Sequence, residues 1–407
     1  MIERPRGTRD LGPDEMTYRN YVEDQLRATC ESYGYRAIQT PMFEHTKLFK
    51  EKSGPSIIEE IYAFKDKGGR EIALRPEFTA SVIRMYFQEM REVPKPVKIY
   101  YFGSAFRYER PQAGRYREFW QFGTELIGAD TPYADAENIA LAYNCISILG
   151  LTDIKLKISN LNILSDFLEE NGVGKKEKLE VYHLVDKGEF DEIRDTFDYG
   201  DMLCKLIQSD LSEAKKYLKE SSSISYLEKV TDLLSLYEIG EKDYSIDLST
   251  VRGLDYYKGV VFEIEAERLG AEKQICGGGD YQLGDIFGGE ITSKGFAIGF
   301  DRTILAMKEE NIELEKKENR YYIIPIEEEN KTYAYEVLKS LRDKNIIADI
   351  DLKGRSIGNA IGYADKSGFS HVILLGEEEV KSEEVSVKDL STGKQESVEK
   401  KEFLENK

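Results

Sequence analysis

The charged run Lys308–Arg320 (KEENIELEKKENR) divides this 407-residue chain into two parts whose hydrophobic periodicities differ. After it, apolar runs at Tyr321–Ile326, Ile346–Ile350 and His371–Leu375 alternate with two amphipathic patterns. Ala334, Val337, Leu338 and Leu341 share one helical face in the first, and Ile357, Ala360, Ile361 and Ala364 share one in the second. Strand–helix alternation of this kind predicts a small α/β domain over 321–407 with a largely parallel sheet.

Residues 1–320 read as a larger α+β domain. A helix is expected from about Pro13 to Tyr33, then a strand entering Pro41. Apolar runs at Glu71–Leu74, Val97–Phe106 and Phe119–Ile127 alternate with turns, as antiparallel strands do. Helical spacing returns over 132–149. From about 161 to 240 the pattern is helical and polar, and strand-like runs resume at Tyr244–Leu248, Val260–Glu265 and Gly295–Gly299. A helical insertion into a sheet domain is the simplest account.

Three histidines and four cysteines, with no CxxC or HxxxH pair, make a structural zinc site or a histidine-based triad an unpromising expectation. The cysteines read as reduced thiols of a cytoplasmic chain. No apolar stretch approaches the ~18 residues that a membrane span needs. The net charge of −19 (57 basic, 76 acidic) argues by itself against nucleic acid. Its distribution reverses that inference. Residues 1–130 carry 21 Lys+Arg against 20 Asp+Glu, so the remaining residues hold all the acidity (−19 − 1 = −20). A ligand with phosphates belongs in the first third.

Four segments carry residues suited to chemistry. Arg107–Arg117 holds four arginines and one acid between two strand-like runs, and guanidinium forks suit phosphate oxygens. On the return strand Gln121, Gly123 and Glu125 alternate on one face. A solvated basic hairpin accounts for the composition equally well. Thr250–Gly259 (TVRGLDYYKG) offers an arginine and paired tyrosines, or else a turn with aromatic packing. Cys276–Tyr281 (CGGGDY) permits close backbone approach to a ligand, although flexible turns are the plainer reading. Neither a P-loop nor a GxGxxG frame is present. Gly295–Arg302 (GFAIGFDR) runs from an apolar strand into a helix whose first turn holds an arginine, which on such a junction is usually a surface ion pair.

Taken together and in this order, the segments resemble the class II aminoacyl-tRNA synthetases, and among them the histidyl-tRNA synthetases. Pro5-Arg6-Gly7-Thr8-Arg9-Asp10 is similar to that family's opening motif. Gly34-Tyr35-Arg36 through Pro41 resembles class II motif 1, Phe106–Glu125 motif 2 and Gly295–Arg302 motif 3. The two histidine-specific segments correspond to Arg252–Tyr257 and the glycine-rich stretch ending in Tyr281. Gly362–Lys366 and Val387–Gly393 match in the tail.

The resemblance implies an antiparallel-sheet catalytic domain with a helical insertion at about 161–240, followed by a C-terminal anticodon-binding α/β domain. It implies ATP, L-histidine and tRNA(His) as substrates, magnesium with the ATP, a homodimer built on motif 1, no membrane and no resident metal. Carried over position by position, Arg107 holds the α-phosphate, Arg302 the bent triphosphate and Arg115 the outer phosphates. Arg252 grips the α-phosphate from the other side and also counts among the histidine-binding residues. Glu77, Thr79 and Gln121 bind the α-amino group. Glu125 and Tyr257 hydrogen-bond the imidazole beside Tyr256, and Tyr281 closes the pocket. Gln112 is placed to meet the acceptor end of tRNA. Two positions depart from the family pattern: Asp280 stands where many members carry arginine, and Phe78 where a glycine is often found.

The rival from another functional class is the non-catalytic regulatory paralogue that associates with ATP-phosphoribosyltransferase. Such proteins generally lack the anticodon domain and tend to lose the arginine at position 252, and this chain has both. The synthetases for threonine, proline or glycine lack the histidine-specific segments.

Overall fold

The computed structural model describes residues 2–53, 55–109, 115–220, 222–251, 257–270, 273–314 and 319–406. They form two compact units, Met1–Glu313 and Leu314–Lys407, which part within the charged run.

The first unit contains strands β1 (Arg36–Ala37), β2 (Phe43–His45), β3 (Ala63–Lys65), β4 (Glu71–Leu74), β5 (Val97–Phe106) and β6 (Glu118–Ile127). They are followed by β7 (Ile154–Asn160), β8 (Tyr244–Ile246), β9 (Tyr257–Ala266), β10 (Gln274–Tyr281) and β11 (Ser293–Gly299). Its helices are α1 (Pro13–Ser32), α2 (Thr46–Ser53), α3 (Thr79–Met85), α4 (Pro132–Ser147), α5 (Leu161–Glu170) and α6 (Lys175–Lys187). Four more, α7 (Phe190–Thr196), α8 (Gly200–Ile207), α9 (Leu211–Ala214) and α10 (Ser222–Leu234), complete the insertion between β7 and β8, and α11 (Phe300–Glu309) follows β11.

Eight strands make the main sheet in the order β1-β5-β6-β11-β10-β9-β7-β8. The six central strands, β5 through β7, pair antiparallel throughout. The two edge strands, β1 and β8, add parallel pairings that the sequence reading did not include. Strands β2, β4 and β3 form a separate small sheet.

Side chains alternate across the main sheet and divide its faces. Tyr100, Phe122, Leu126, Phe296 and Ile298 pack with Val22 and Leu26 of α1 and Ile139 and Ala142 of α4 in one continuous core. Thr131 starts α4: its hydroxyl accepts the Ala134 N–H at 3.3 Å, satisfying a donor that the first turn leaves open. On the opposite face Ile99, Tyr101 and Ala105 meet Phe78, Val82 and Ile83 around α3. That second face is covered only in part, and the uncovered part is the cleft described below.

The glycine-rich stretch read as flexible turns is strand β10, in the middle of the sheet. A Cβ on Gly278 would lie 2.2 Å from the Gly295 carbonyl oxygen and 2.5 Å from Phe296 Cβ. Here glycine lets neighbouring strands close up rather than letting the chain bend. Helix α3 is a further element to which the sequence pattern assigned nothing.

The second unit pairs β12 (Tyr321–Pro325), β13 (Ala348–Ile350), β14 (His371–Leu375), β15 (Glu384–Asp389) and β16 (Gln395–Glu399) in the order β13-β12-β14-β15-β16. Helices α12 (Lys331–Asp343), α13 (Ile357–Lys366), α14 (Glu377–Ser382) and α15 (Lys400–Glu405) accompany them. The first three strands of that order are parallel, as expected, whereas β15 and β16 add an antiparallel extension. Ala334, Val337, Leu338 and Leu341 of α12 are buried on one side, and Ala360 and Ala364 of α13 pack with Tyr322, Ile324 and Val372.

Candidate active site

A cleft of about 300 Å³ opens on the incompletely covered face of the main sheet. Its walls come from eight elements. Tyr101 and Arg107 rise from β5 and its end, and Phe119, Trp120 and Gln121 from β6. Tyr257 begins β9, Gln274–Gly277 lie on β10, Ala297 and Gly299 on β11, and Asp301 and Arg302 open α11. Glu77 and Thr79 enter at the start of α3, and Lys52 from α2.

One end of the cleft is cationic. Arg107, Arg115 and Arg302 all line it, although the first and last are separated by most of the unit's sequence. The Nε of Arg107 donates to the Pro76 carbonyl at 3.0 Å, and its guanidinium lies 5.2 Å from the Phe119 ring. This leaves its Nη edge toward Glu109, 3.8 Å away; Glu109 is also 3.8 Å from Arg115. Guanidinium groups gathered this way suit a polyphosphate. Arg302 therefore lines a cleft, where the strand–helix junction by itself suggested only a surface position.

Another part of the lining is polar. Lys52, nearly buried, pairs with Glu77 at 3.1 Å, and the other Glu77 oxygen accepts the Ala80 N–H at 3.2 Å. The amide oxygen of Gln121 is buried and has no hydrogen-bond partner among the described residues. A buried acceptor in that state costs roughly 1–3 kcal/mol, which a donor from a ligand recovers.

Glu125 and Tyr281 are not among the residues lining the cleft; they contact those that do. The Tyr281 hydroxyl donates to Glu125, the Thr79 hydroxyl hydrogen-bonds the same carboxyl group, and the Tyr281 ring meets the Tyr257 ring edge-on at 6.3 Å. The pairing of Glu125 in this structure is thus with Tyr281 and Thr79. Burial is the main reason its carboxyl is pushed up to about 8; Glu77 adds to the rise, while the bonds from Tyr281 and Thr79 and the charge of Lys52 oppose it. Glycine at 295 makes room for the group, since a Cβ there would sit 2.2 Å from Glu125 Oε2.

Phe78 has a clear part in this packing. Its ring stacks on Tyr101 at 4.5 Å, and the buried Arg75 guanidinium lies 3.8 Å above it. Arg75 in turn donates to the carbonyls of Ser104 at 2.8 Å and Thr40 at 2.9 Å. An aromatic side chain at 78 therefore buttresses Tyr101 in the cleft wall.

Sequence reasoning missed Lys52, Tyr101 and Asp301. Asp301 is buried, pairs with Arg9 and, at 2.5 Å, with Arg19, and accepts the Trp120 N–H at 3.0 Å. Its place beside Arg302 and the arginine in the opening motif were the available signals. Arg252 and Tyr256, together with Gln112, lie outside the described residues.

Comparison with known proteins decides the family. The family model described as Histidyl-tRNA synthetase matches residues 7–303, and one described as Anticodon binding domain matches 320–406. The chain belongs to the histidyl-tRNA synthetase family. Its relatives include the histidine–tRNA ligase of Archaeoglobus fulgidus, 43% identical over 416 positions that cover 99% of this chain and 98% of that one. Among solved structures, the apo histidyl-tRNA synthetase of S. aureus superposes with a TM-score of 0.75 at 32% identity, covering 100% of this chain and 99% of that one. A Bacillus halodurans chain titled as an ATP phosphoribosyltransferase regulatory subunit/histidyl-tRNA synthetase superposes at 0.79 over 92% of this chain and 98% of that one; at 23% identity it speaks to the fold alone. Membership makes this chain an enzyme of histidine tRNA aminoacylation that uses ATP. The anticodon-binding match and the full-length ligase relatives favour that over the regulatory reading.

Proposed function

We propose that the cleft activates L-histidine with ATP and that the histidyl group then passes to the 3′ end of tRNA(His), with the residues acting as follows. The observation that carries the reading is Gln121: a buried acceptor with no donor among the described residues, in a cleft that Glu77 and three arginines also line. An amino acid joined to a polyphosphate matches both kinds of lining. The α-ammonium of histidine binds Gln121, Glu77 and Thr79. The imidazole has two ring nitrogens, one for the Tyr257 hydroxyl and one for Glu125, with Tyr256 beside them and Tyr281 closing the pocket. A site that hydrogen-bonds both nitrogens rejects analogues lacking them by roughly 10⁴–10⁵.

In the first step a histidine carboxylate oxygen attacks the α-phosphorus of ATP. The bond to the bridging oxygen breaks and pyrophosphate leaves. The carboxylate is already ionised at neutral pH, so the protein must supply alignment and positive charge rather than a base. Arg107 and Arg252 take the α-phosphate from two sides, and Arg302 and Arg115 the outer phosphates. The roles of Arg252 and Tyr256 rest on the family resemblance alone. Magnesium enters as part of the ATP substrate. In the second step a terminal ribose hydroxyl of tRNA attacks the adenylate carbonyl and AMP departs.

The C-terminal unit counts 13 Lys+Arg against 18 Asp+Glu over 321–407, so its contacts with tRNA come from a restricted patch and weaken steeply with salt. The reading includes a homodimer in the cytoplasm. Exposed Met42, Phe43 and Phe64 near the motif 1-like segment support the first, and four buried cysteines accord with the second. Charging of a tRNA(His) transcript with labelled histidine tests the whole reading. Histidine-dependent charging is expected, and a folded protein that charges nothing would place it with the regulatory paralogues.

A further inference from the structure

A lysine with its side chain 1% exposed stands on β11, one strand away from the Tyr281 side chain, with no role in the chemistry above. Lys294 pairs across the strands with Asp280 of β10, and its ammonium lies 2.5 Å from the Asp280 carboxylate and 2.9 Å from Asp135 of α4. The exposed Asp130 is more distant at 3.7 Å. The hydroxyl of Tyr226, on insertion helix α10, donates to the other Asp135 oxygen at 2.7 Å. Burial and the neighbouring Asp135 push the Asp280 carboxyl well above the ordinary range, against the pull of Lys294. A buried cation survives only when its partners are this close, and removing one partner leaves an uncompensated charge.

Asp280 and Tyr281 are consecutive on β10 and so point to opposite faces of the sheet. One is held by Lys294 on the α4 side, and the other reaches Glu125 on the cleft side. Asp280 also controls the adjoining strand. Its Oδ2 accepts the Val260 N–H at 3.4 Å and occupies the space above Gly259, where a Cβ would come within 2.5 Å of it. Gly259 has φ +66° and lies in the bulge that brings Tyr257 opposite Tyr281. Both tyrosines of the histidine pocket therefore hang on the position of Asp280.

We propose that Lys294 is a positioning residue for histidine: by holding Asp280 against Asp135 it sets the register that presents Tyr281 and Tyr257 to the pocket, and Tyr226 ties the helical insertion into the same cluster. This rests on the function proposed above and extends it, because docking of the insertion becomes a determinant of histidine affinity.

The test is steady-state pyrophosphate exchange with L-histidine and ATP varied separately, on the full chain. Lys294→Met is expected to raise the histidine KM at least tenfold while the ATP KM and kcat stay within about twofold, and Lys294→Arg to restore the histidine KM. Tyr226→Phe, which removes only the hydroxyl that bonds Asp135, is expected to raise the histidine KM by two- to fivefold. A folded Lys294→Met protein with unchanged histidine KM, or with both KM values raised together, overturns the proposal. If Lys294→Met does not fold, an unchanged histidine KM in Tyr226→Phe overturns it instead. Lack of histidine-dependent exchange in the unaltered protein would count against the proposed function, a result separable from all of these.

Discussion

The Tyr281 hydroxyl donates to the Glu125 carboxyl group across strand β11, joining residues 156 positions apart in the chain. The bond places a carboxyl group in a fully enclosed site behind Thr79, and its energetic cost has measurable consequences.

Burial pushes the Glu125 carboxyl up to about 8 in the folded protein, against an ordinary value of 4.5. Between those pH values the unfolded chain has released a proton that the folded chain keeps. Stability therefore falls as pH rises through that window, by up to about 1.4 kcal/mol per unit, and levels off on either side. Glu125→Gln is expected to flatten this slope, so the ligand-free variant should gain thermal stability over the original progressively from pH 5 to 8. The same variant should lose at least tenfold in kcat/KM for histidine-dependent exchange. Melting curves across pH, paired with exchange kinetics, check both.

Gly295→Ala puts a methyl group 2.2 Å from Glu125 Oε2 and 2.3 Å from the Thr124 carbonyl oxygen, so something must shift. Overpacking of this kind costs about 1–3 kcal/mol. The variant should melt at lower temperature and show a raised histidine KM, since Glu125 must be displaced from Tyr281.

Gln121→Leu removes a buried oxygen that has no partner among the described residues. Stability should be unchanged or slightly increased, whereas the histidine KM should rise about tenfold or more, in line with losing a hydrogen bond to a charged group. Calorimetry without ligand and exchange kinetics with it separate the two effects.

Arg107→Ala takes away a guanidinium held by the Pro76 carbonyl and the Phe119 ring. Loss of one preorganised donor to a reacting phosphate typically lowers kcat by 10²–10³. Exchange should fall by that amount, while histidine binding measured by calorimetry should stay within a few-fold. Arg252→Ala should behave in the same way.

Much of the fold was legible where local pattern and burial agree. The alternation of Val97–Phe106 and Phe119–Ile127 corresponds to two long paired strands, and the apolar face of Ala334–Leu341 to helix α12. What the pattern hid depends on tertiary neighbours. The glycines of β10 have no side chains to alternate, so only the closeness of Phe296 and Gly295 reveals them as central strand residues. Strand β1 is two residues long and exists through its parallel pairing with β5. In the site, Arg107, Arg115 and Arg302 were visible as residue types suited to phosphate, but their convergence came only from the family resemblance, because it depends on the order of strands in the sheet. Asp301 escaped notice because its importance lies in Arg9 and Arg19, which approach it from nearly 300 residues upstream.

The central claim is that this cleft selects histidine and activates it on ATP. Amino-acid-dependent ATP–pyrophosphate exchange, run with each of the twenty amino acids in turn, tests it most directly. Exchange with histidine alone is the predicted result; exchange with a different amino acid, or with none from folded protein, would contradict it.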